Sequence, residues 1–287
     1  MNIIKRIKTD STFRKMIIFS TLTAILLLVM IFAEQVVPYD PYEQDLSSAL
    51  QPPNATHWLG TDRYGRDMLS RVIVGGRTTI TSSLLLVLII MSVGTAVGVF
   101  CGYYGGWAGT TLMRISDVFL AFPGMVFAIA IASAWGGGVG NAVAALACVS
   151  WPKYARLARS QVLIVRESAY INAAKLSGQS SVGIIFRHVI PNIAGSVLVT
   201  AVLDIGTMMM EIAGLSFLGL GAVPPAAEWG SMMSNGRSML QTCPWVILAP
   251  GCAIFLTVSL FNLLGDTVRD VLDPRNRRVR RKAAVKK

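Results

Sequence analysis

The chain has 287 residues, of which 53% are hydrophobic and only 14% are charged. A soluble domain averages about 25% charged residues, and apolar runs of about 18 residues or more recur along this chain, so the composition excludes a soluble globular domain and predicts a polytopic helical membrane protein. The net charge of +11 does not indicate nucleic-acid binding, because the basic residues cluster at the ends of apolar runs and in the C-terminal tail, without an RNA- or DNA-binding motif.

Six apolar segments predict an all-α protein with six transmembrane helices. The first segment follows a basic N-terminus and is too long for the core of a cleaved signal peptide, so we expect it to remain as a span. The predicted spans are 16–33, 82–102, 115–134, 139–151, 194–218 and 246–264. They divide the chain into an N-terminal tail with the first span (1–34), a polar loop (35–79), a five-helix core (80–270) and a basic tail (271–287).

The distribution of lysine and arginine predicts how these spans are oriented. Most of the 26 basic residues fall before the first span, in the 152–193 loop and in the C-terminal tail, which the positive-inside rule assigns to the cytoplasm. The 35–79 loop also carries arginines, but long loops translocate largely regardless of charge. Both termini and the 152–193 loop are therefore predicted to be cytoplasmic. The basic tail is either a solvated segment or a contact to anionic lipid.

The outside loop contains the stretch H-W-L-G-T-D-R-Y-G-R-D at 57–67. Its two glycines suit tight turns. Thr61 or Asp62 is predicted to cap a following helix. Asp67 is predicted to pair with Arg71, four residues later on the same helix face.

Two backbone features are predicted inside the spans. Glycines recur every four residues in and just after the second span and form one stripe, which is typical of close helix packing in membranes. These glycines are Gly94, Gly98, Gly102 and Gly106. In the third span, Pro123 removes a backbone hydrogen bond and is predicted to kink the helix.

The loop between the fourth and fifth spans predicts a helical hairpin. Residues 170–176 contain two adjacent alanines and form the first short helix, which Gly178 ends in a left-handed conformation. Ser180 is predicted to cap a second helix at 182–188, which must stop before Pro191. Such a hairpin, with a small face and held at a membrane surface, is suited to being gripped by another protein.

Two acidic residues lie inside the fifth span. Asp204 and Glu211 are seven residues apart and so share one helix face, with Asp204 near mid-membrane. Because a charge there costs at least about 2 kcal/mol, such residues are functional candidates by default. Two interpretations stay open: structural acids, hydrogen-bonded or protonated, or pathway residues that attract a cationic group. Met208 is a third pathway candidate, although methionines beside such acids more often serve packing.

The cytoplasmic loop resembles the EAA loop of ABC-importer permeases. The shared pattern is A-A-x-x-x-G followed by a distal P-N, and the departure is Asn172, where a glutamate often stands in that family. In that family the loop supplies the coupling helix that docks into a groove of the ATPase subunit. The resemblance therefore implies ATPase coupling by Tyr170, Ala173, Ala174, Lys175, Gly178, His188, Pro191 and Asn192.

Almost the whole chain, from 38 to 274, resembles the second permease of the dipeptide/oligopeptide/nickel group of ABC importers. The signature is L-G-T-D-x-x-G-R-D-x-x-S-R at 59–71. Further matches lie at 38–41, 112–117, 215–221, 228–230 and 262–270. The resemblance implies a type I ABC-importer permease fold and a loop facing the binding protein. The residues that it assigns to this loop are Gly60, Asp62, Gly65, Arg66 and Asp67.

The sequence carries no catalytic motif. It has no G-x-x-x-x-G-K-[ST] for ATP and no H-E-x-x-H or G-x-S-x-G site, so the chain is predicted to be a non-catalytic subunit that holds no cofactor or metal. The resemblance implies half of a translocation pathway in the inner membrane. The implied partners are a second permease, two ATPase subunits that bind ATP and Mg, an extracytoplasmic substrate-binding protein and membrane lipid, but no nucleic acid.

The substrate class is the most open expectation. Segment 203–215 looks more like the nickel-type members, so nickel or a metal chelate is expected, with dipeptide, oligopeptide or glutathione import as the alternative. A self-sufficient secondary transporter is a rival class, for which an inverted repeat is expected; none is evident. An intramembrane hydrolase lacks a nucleophile–base constellation, and the two intramembrane acids argue weakly against a pure scaffold.

Overall fold

The computed structural model describes residues 11–272, and every regular element in that range is helical. The main helices are α1 (Ser11–Ile31), α2 (Ala33–Val36), α3 (Met68–Tyr103), α4 (Gly106–Ala121), α5 (Gly124–Ala134), α6 (Val139–Arg166), α7 (Ala169–Leu176), α8 (Ser181–Ile184), α9 (Ile190–Phe217), α10 (Trp229–Gly236) and α11 (Trp245–Leu272). Short 3₁₀ turns lie at Leu46–Ser48 and Arg237–Met239, and a π turn lies at Ile185–Val189. The predictions for 1–10 and for the basic tail beyond 272 lie outside the described residues.

Four helical stretches within 11–272 are long and apolar enough to cross a membrane. They are α1, α3, the continuous run Ser181–Phe217 and α11. Helices α4 and α5 supply a fifth span if the 93° bend between them lies inside one crossing. The bend falls at Pro123, so the kink predicted there is confirmed. The structure therefore gives four or five candidate spans by length and composition, against the six predicted.

The fourth predicted span, 139–151, is only the first half of a longer helix. Helix α6 has 28 residues and continues through Pro152. Its second half carries Lys153 and several arginines, which lower the mean hydropathy, and α6 is not among the candidate spans. Residues 152–166, predicted to be loop, are thus a rigid extension of this helix.

Helix α3 begins 14 residues before the predicted start of the second span at residue 82. Its N-cap is Asp67, whose carboxylate accepts the backbone N–H of Ser70. The predicted caps, Thr61 and Asp62, are both wrong. A carboxylate at the N-cap satisfies amides that have no partner inside the helix, and this cap converts the last part of the outside loop into helix.

The glycine stripe packs α3 against α6. A Cβ atom at Gly94 would lie 2.4 Å from the Trp151 carbonyl oxygen, and one at Gly98 would lie 2.3 Å from that of Ala155. A Cβ atom at Gly102 would meet Val162. The packing prediction is confirmed for these three glycines. It is wrong for the fourth, Gly106, which begins α4 and faces nothing within 4 Å.

We expect Gly98→Ala to destabilise the protein, whereas Gly195→Ala stabilises it. In a helix interior, alanine is favoured over glycine by about 1 kcal/mol. At Gly98 the new methyl group would press on the α6 backbone, and overpacking of this kind costs roughly 1–3 kcal/mol. At Gly195, in α9, a Cβ atom would meet nothing within 4 Å. Thermal unfolding of the detergent-purified variants should show opposite shifts, and equal shifts would contradict close α3–α6 packing.

Candidate functional site

The hairpin predicted between the fourth and fifth spans forms largely as its sequence predicts. Helix α7 ends at Leu176, and Gly178 follows it with a φ of +75°. The hydroxyl of Ser180 accepts the backbone N–H of Gly183 and so caps α8. These local predictions are confirmed because each depends on one residue type at one position: a glycine for positive φ and a serine for an N-cap.

The second half of the hairpin differs from the prediction. The helix does not stop before Pro191, because the π turn joins α8 directly to α9. Proline is tolerated in the first turn of a helix, where its missing N–H is not needed. Here the ladder restarts at the π turn, where the Ile190 N–H donates to the Ile185 carbonyl. Pro191 is accordingly the second residue of α9, and the hairpin is continuous with that helix.

Polar side chains tie the two ends of the hairpin together. The Asn192 amide donates to the Tyr170 hydroxyl at 2.8 Å and to the His188 carbonyl at 3.0 Å. The His188 ring Nε2 lies 3.0 Å from the Gln179 side-chain oxygen. Three residues that the family pattern singled out, Tyr170, His188 and Asn192, therefore converge, and Gln179 is a fourth member that sequence reasoning missed. This network fixes the hairpin relative to α9.

The hairpin also presents large apolar side chains to its surroundings. Leu176, at the end of α7, is 90% exposed, and Val182 and Phe186 are exposed as well. Ile171 on the opposite side of α7 is fully buried and anchors it to the helical body. Large exposed apolar side chains on one short hairpin form a candidate interaction surface. The sequence-based prediction placed the contact face at the small alanines Ala173 and Ala174 instead. The feature that could have indicated the apolar surface was Leu176, a large apolar residue at the end of a short helix.

An ion pair between a half-exposed lysine and a buried aspartate links α6 and α9 midway along both helices. The Lys153 ammonium donates to one carboxylate oxygen of Asp204 at 2.5 Å, and Asp204 is buried. The other carboxylate oxygen of Asp204 and the hydroxyl of Tyr154 are also buried, and these two side chains interact with each other. Asp204 therefore already has a cation from its own chain. Lys153 was missed, because its position was interpreted as loop.

Glu211 lies two helical turns beyond Asp204 and is half-buried. Met208, between them along α9, is buried. Within the described part of the chain Glu211 makes neither a hydrogen bond nor an ion pair, yet it lies within electrostatic reach of Asp204 and Lys153. The three predicted pathway residues are thus close together, but only Glu211 is an acid without a bonded partner.

A second ion pair lies one turn along α6 from Lys153. The Arg156 guanidinium donates to the carboxylate of Asp117, on α4, at 2.7 Å, and both side chains are about half exposed. Helix α6 is therefore joined to α9 through Lys153 and to α4 through Arg156.

The stretch at 57–71, in the 35–79 loop, folds into a buried polar network. The Asp62 carboxylate accepts the backbone N–H groups of Tyr64 and Arg66 and the Arg66 guanidinium. Arg71 lies 3.6 Å from the same carboxylate and donates to the Pro41 carbonyl. The predicted Asp67–Arg71 pair is not formed, because the Asp67 carboxylate is occupied by Ser70 and by the His57 ring.

The two glycines of this stretch make the turns that their positions predict. Gly60 and Gly65 both have a φ of +74°, and a Cβ atom at Gly65 would overlap the carbonyl of Asp45. Hydrogen bonds from the Ser47 and Ser48 hydroxyls lower the pKa of the Asp45 carboxylate. All five residues assigned to the loop facing the binding protein are buried. Contact with a binding protein stays a prediction, and Trp58 and Leu46 are the exposed apolar side chains nearby.

Glu228 joins α10 to the N-terminal half of α3. It is fully buried, and its carboxylate accepts the backbone N–H groups of Gly230 and Ser231 and the hydroxyl of Thr79. The Trp229 indole N–H donates to the Val72 carbonyl. The 228–230 stretch was recognised as a family match, but its role as a clamp depends on partners about 150 residues away and could not be predicted from the sequence.

We expect Glu228→Ala to loosen α10 without unfolding the chain. Loss of an N-cap costs about 1 kcal/mol, and the Thr79 hydroxyl would lose one buried acceptor. Hydrogen exchange followed by mass spectrometry should show faster exchange for the α10 peptide, with little change in α9. Glu34→Ala, which removes an exposed carboxylate, is the control. Unchanged exchange in α10 would contradict the clamp.

Comparison with known proteins identifies the relatives of this chain. Residues 94–278 match the family described as binding-protein-dependent transport system inner membrane component. The glutathione transport system permease protein GsiD of Pectobacterium atrosepticum is 42% identical over 252 residues, covering 88% of this chain and 84% of the relative. The dipeptide permease DppC of Alkalihalophilus pseudofirmus is 42% identical over 249 residues, covering 87% and 82%. The probable D,D-dipeptide permease DdpC of Escherichia coli is 43% identical over 256 residues, covering 89% and 86%.

Solved structures show the same fold. Inward-facing structures of the MetNI methionine ABC transporter in two crystal forms superpose with TM-scores of 0.58 and 0.57. The sequence identities are 16% and 15%, and the matches cover 72% of this chain and 98% of the other chain. At this identity the likeness establishes the fold, an ABC-transporter permease, and nothing finer.

Proposed function

The chain belongs to the family of binding-protein-dependent transport system inner membrane components, and we propose that it forms half of a translocation pathway for short peptides. It is a multi-pass inner-membrane permease subunit of an ABC importer, of the group that contains the dipeptide and glutathione permeases. It is the non-catalytic part of that machine. The observation that carries the substrate proposal is the identity of 42–43% over most of its length to permeases named for glutathione and dipeptides.

These relatives change the substrate expectation. The sequence alone favoured nickel or a metal chelate, whereas the named relatives favour the peptide alternative. The signal used for nickel was a short stretch around Asp204 and the following methionines, and these side chains now have structural roles: Asp204 binds Lys153, and Met208 and Met209 are buried.

We propose the following arrangement in the membrane. Helix α6 supplies a further span, formed by its apolar half and the turn that carries Lys153 beside Asp204. Together with the bent α4–α5 pair this gives six spans, and both termini lie in the cytoplasm. The hairpin α7–α8 then faces the cytoplasm, and the Asp62 network faces outside. The basic residues near the inner ends of the helices support this orientation. The predicted division at residues 34, 79 and 270 is kept except at the second boundary, which moves to Asp67, the N-cap of α3.

The proposed partners follow from family membership. A second permease completes the pathway, two ATPase subunits bind ATP and Mg and contact the hairpin, and a substrate-binding protein docks outside. For the ATPases to drive a switch, they must contact the hairpin differently in their open and closed states. The network that joins Tyr170, His188 and Asn192 supports this proposal, because it makes the hairpin and α9 move together.

Reconstitution tests the proposal. The chain, its cognate second permease, ATPases and binding protein are placed in proteoliposomes, and ATP-dependent uptake of a radiolabelled dipeptide, glutathione and Ni²⁺ is measured. We expect peptide uptake that requires every partner. ATP-dependent Ni²⁺ uptake without peptide uptake would contradict the substrate. Uptake by the chain alone would contradict the ABC mechanism and favour a secondary transporter.

A further inference from the structure

Lys153 offers two unused hydrogen-bond donors at mid-depth in the helical bundle. Its side chain is 51% exposed, and only one contact, to Asp204, is made within residues 11–272. An ammonium group carries three donors, so two remain free. A lysine at this depth facing lipid would cost about 3 kcal/mol or more. The open side of Lys153 therefore faces a neighbouring subunit or an aqueous pathway rather than lipid.

Glu211 provides the opposite charge on the neighbouring helix. Seven residues are nearly two full turns of an α-helix, so Glu211 and Asp204 share one face of α9. Lys153 forms its ion pair with Asp204, so Glu211 has no ion-pair partner in the described part of the chain. An ammonium group from outside the chain would provide that partner.

The spacing of the two charges suits a short peptide. Seven residues of helix rise about 10 Å, and Lys153 is held at the Asp204 end of that interval. The terminal ammonium and carboxylate of an extended dipeptide or tripeptide are roughly 7 to 10 Å apart, at about 3.3 to 3.6 Å for each residue. Buried Met208 lies between the charges and gives the interval an apolar floor.

We propose that Lys153 and Glu211 form a two-point site for a short peptide with both termini free. Lys153 binds the terminal carboxylate and Glu211 binds the terminal ammonium. Asp204 is a positioning residue that orients the lysine. The site lies in the translocation pathway, and it rests on the proposed function, since it requires that the substrate is a peptide.

The geometry predicts weak binding at this site. Asp204 competes with the peptide carboxylate for the ammonium group of Lys153, so the free energy of peptide binding is small. A transport pathway requires this balance, because a substrate must bind well enough to enter and weakly enough to leave.

The test uses the complete transporter in proteoliposomes, with peptide-loaded binding protein as the donor, so that the affinity of the binding protein is not a variable. Glu211→Gln removes the charge and keeps the shape of the side chain. The double variant Lys153→Met/Asp204→Asn removes both charges of the Lys153–Asp204 ion pair together. We expect each to lower dipeptide uptake at least tenfold at equal amounts of assembled complex, with partial recovery in Glu211→Asp. Met210→Leu changes an exposed neighbour of Glu211 and should transport at the wild-type rate.

An exchange of the charges of Lys153 and Asp204 distinguishes two roles of this pair: binding of the peptide, and a purely structural ion pair between α6 and α9. Lys153→Asp/Asp204→Lys restores an ion pair but moves the ammonium into the buried position. We expect an assembled, stable complex whose uptake stays low. Wild-type uptake by this exchanged variant, or by both charge-removing variants, would overturn the site. If the wild-type transporter moves no peptide at all, the proposed function fails instead, and the two failures are distinguishable.

Discussion

Leu176→Asp should abolish coupling between this permease and its ATPase subunits. The leucine is 90% exposed at the end of α7, and Val182 and Phe186 further along the chain are exposed as well. Burying a leucine side chain against a partner is worth roughly 1.5–3 kcal/mol, and an aspartate in the same apolar contact adds the cost of an unpaired charge. Since about 1.4 kcal/mol is a factor of ten in binding, we expect ATPase affinity to fall by two orders of magnitude or so.

The measurement is co-purification of the ATPase subunits with the tagged permease pair, together with substrate-stimulated ATP hydrolysis. Leu46→Asp is the matched control, because that leucine is 72% exposed but lies in the outside loop. It should retain its ATPase subunits, whatever it does to the binding protein. If the Leu176→Asp variant kept its ATPase subunits and its stimulated hydrolysis, the hairpin would not be the coupling element.

The accuracy of the sequence-based predictions follows the range of the interactions involved. Gly178 and Ser180 act on their own turn of the hairpin, so the prediction of both was correct. Pro191 obeys an equally local rule, yet the prediction failed because the π turn changes the hydrogen-bond ladder just before it. A prediction from one residue type holds only where the helix around that residue keeps the α-helical hydrogen-bond pattern.

The charge cluster shows the opposite limit. Hydropathy identified Asp204 and Glu211 as acids inside a span, but it could not show that Lys153, 51 residues earlier, supplies a cation to one of them. The same lysine made the second half of α6 look like loop. A method that considers each position alone assigns a charged residue to a loop even when an opposite charge pairs with it inside the bundle. For this reason the fourth span was predicted to end at residue 151, although the helix continues to Arg166.

The outside loop was misjudged for the same reason. The predicted contact was a pair between Asp67 and Arg71 on one helix face, whereas Arg71 is buried together with Asp62 and Arg66. The family signature at 59–71 is thus explained by folding requirements: two left-handed glycines, one carboxylate that serves two arginines, and one N-cap. Trp58 is an exposed side chain of the same loop, and contact of this loop with a binding protein stays a prediction.

Asp62→Ala should accordingly destabilise the protein far more than loss of an exposed ion pair. It would leave the buried guanidinium groups of Arg66 and Arg71 without their carboxylate, and breaking a buried pair costs about 3–5 kcal/mol. Arg77→Met removes the pair between Arg77 and Glu34, which lies at the surface with side chains 46% and 67% exposed, and such pairs contribute about 0–1 kcal/mol. We expect the unfolding temperature of Asp62→Ala in detergent to fall by on the order of 10 °C, with almost no change for Arg77→Met. Asp62→Asn keeps an acceptor for the backbone amides but loses the charge, so its unfolding temperature should lie between the two, and equal shifts in all three variants would show that the network does not hold the loop.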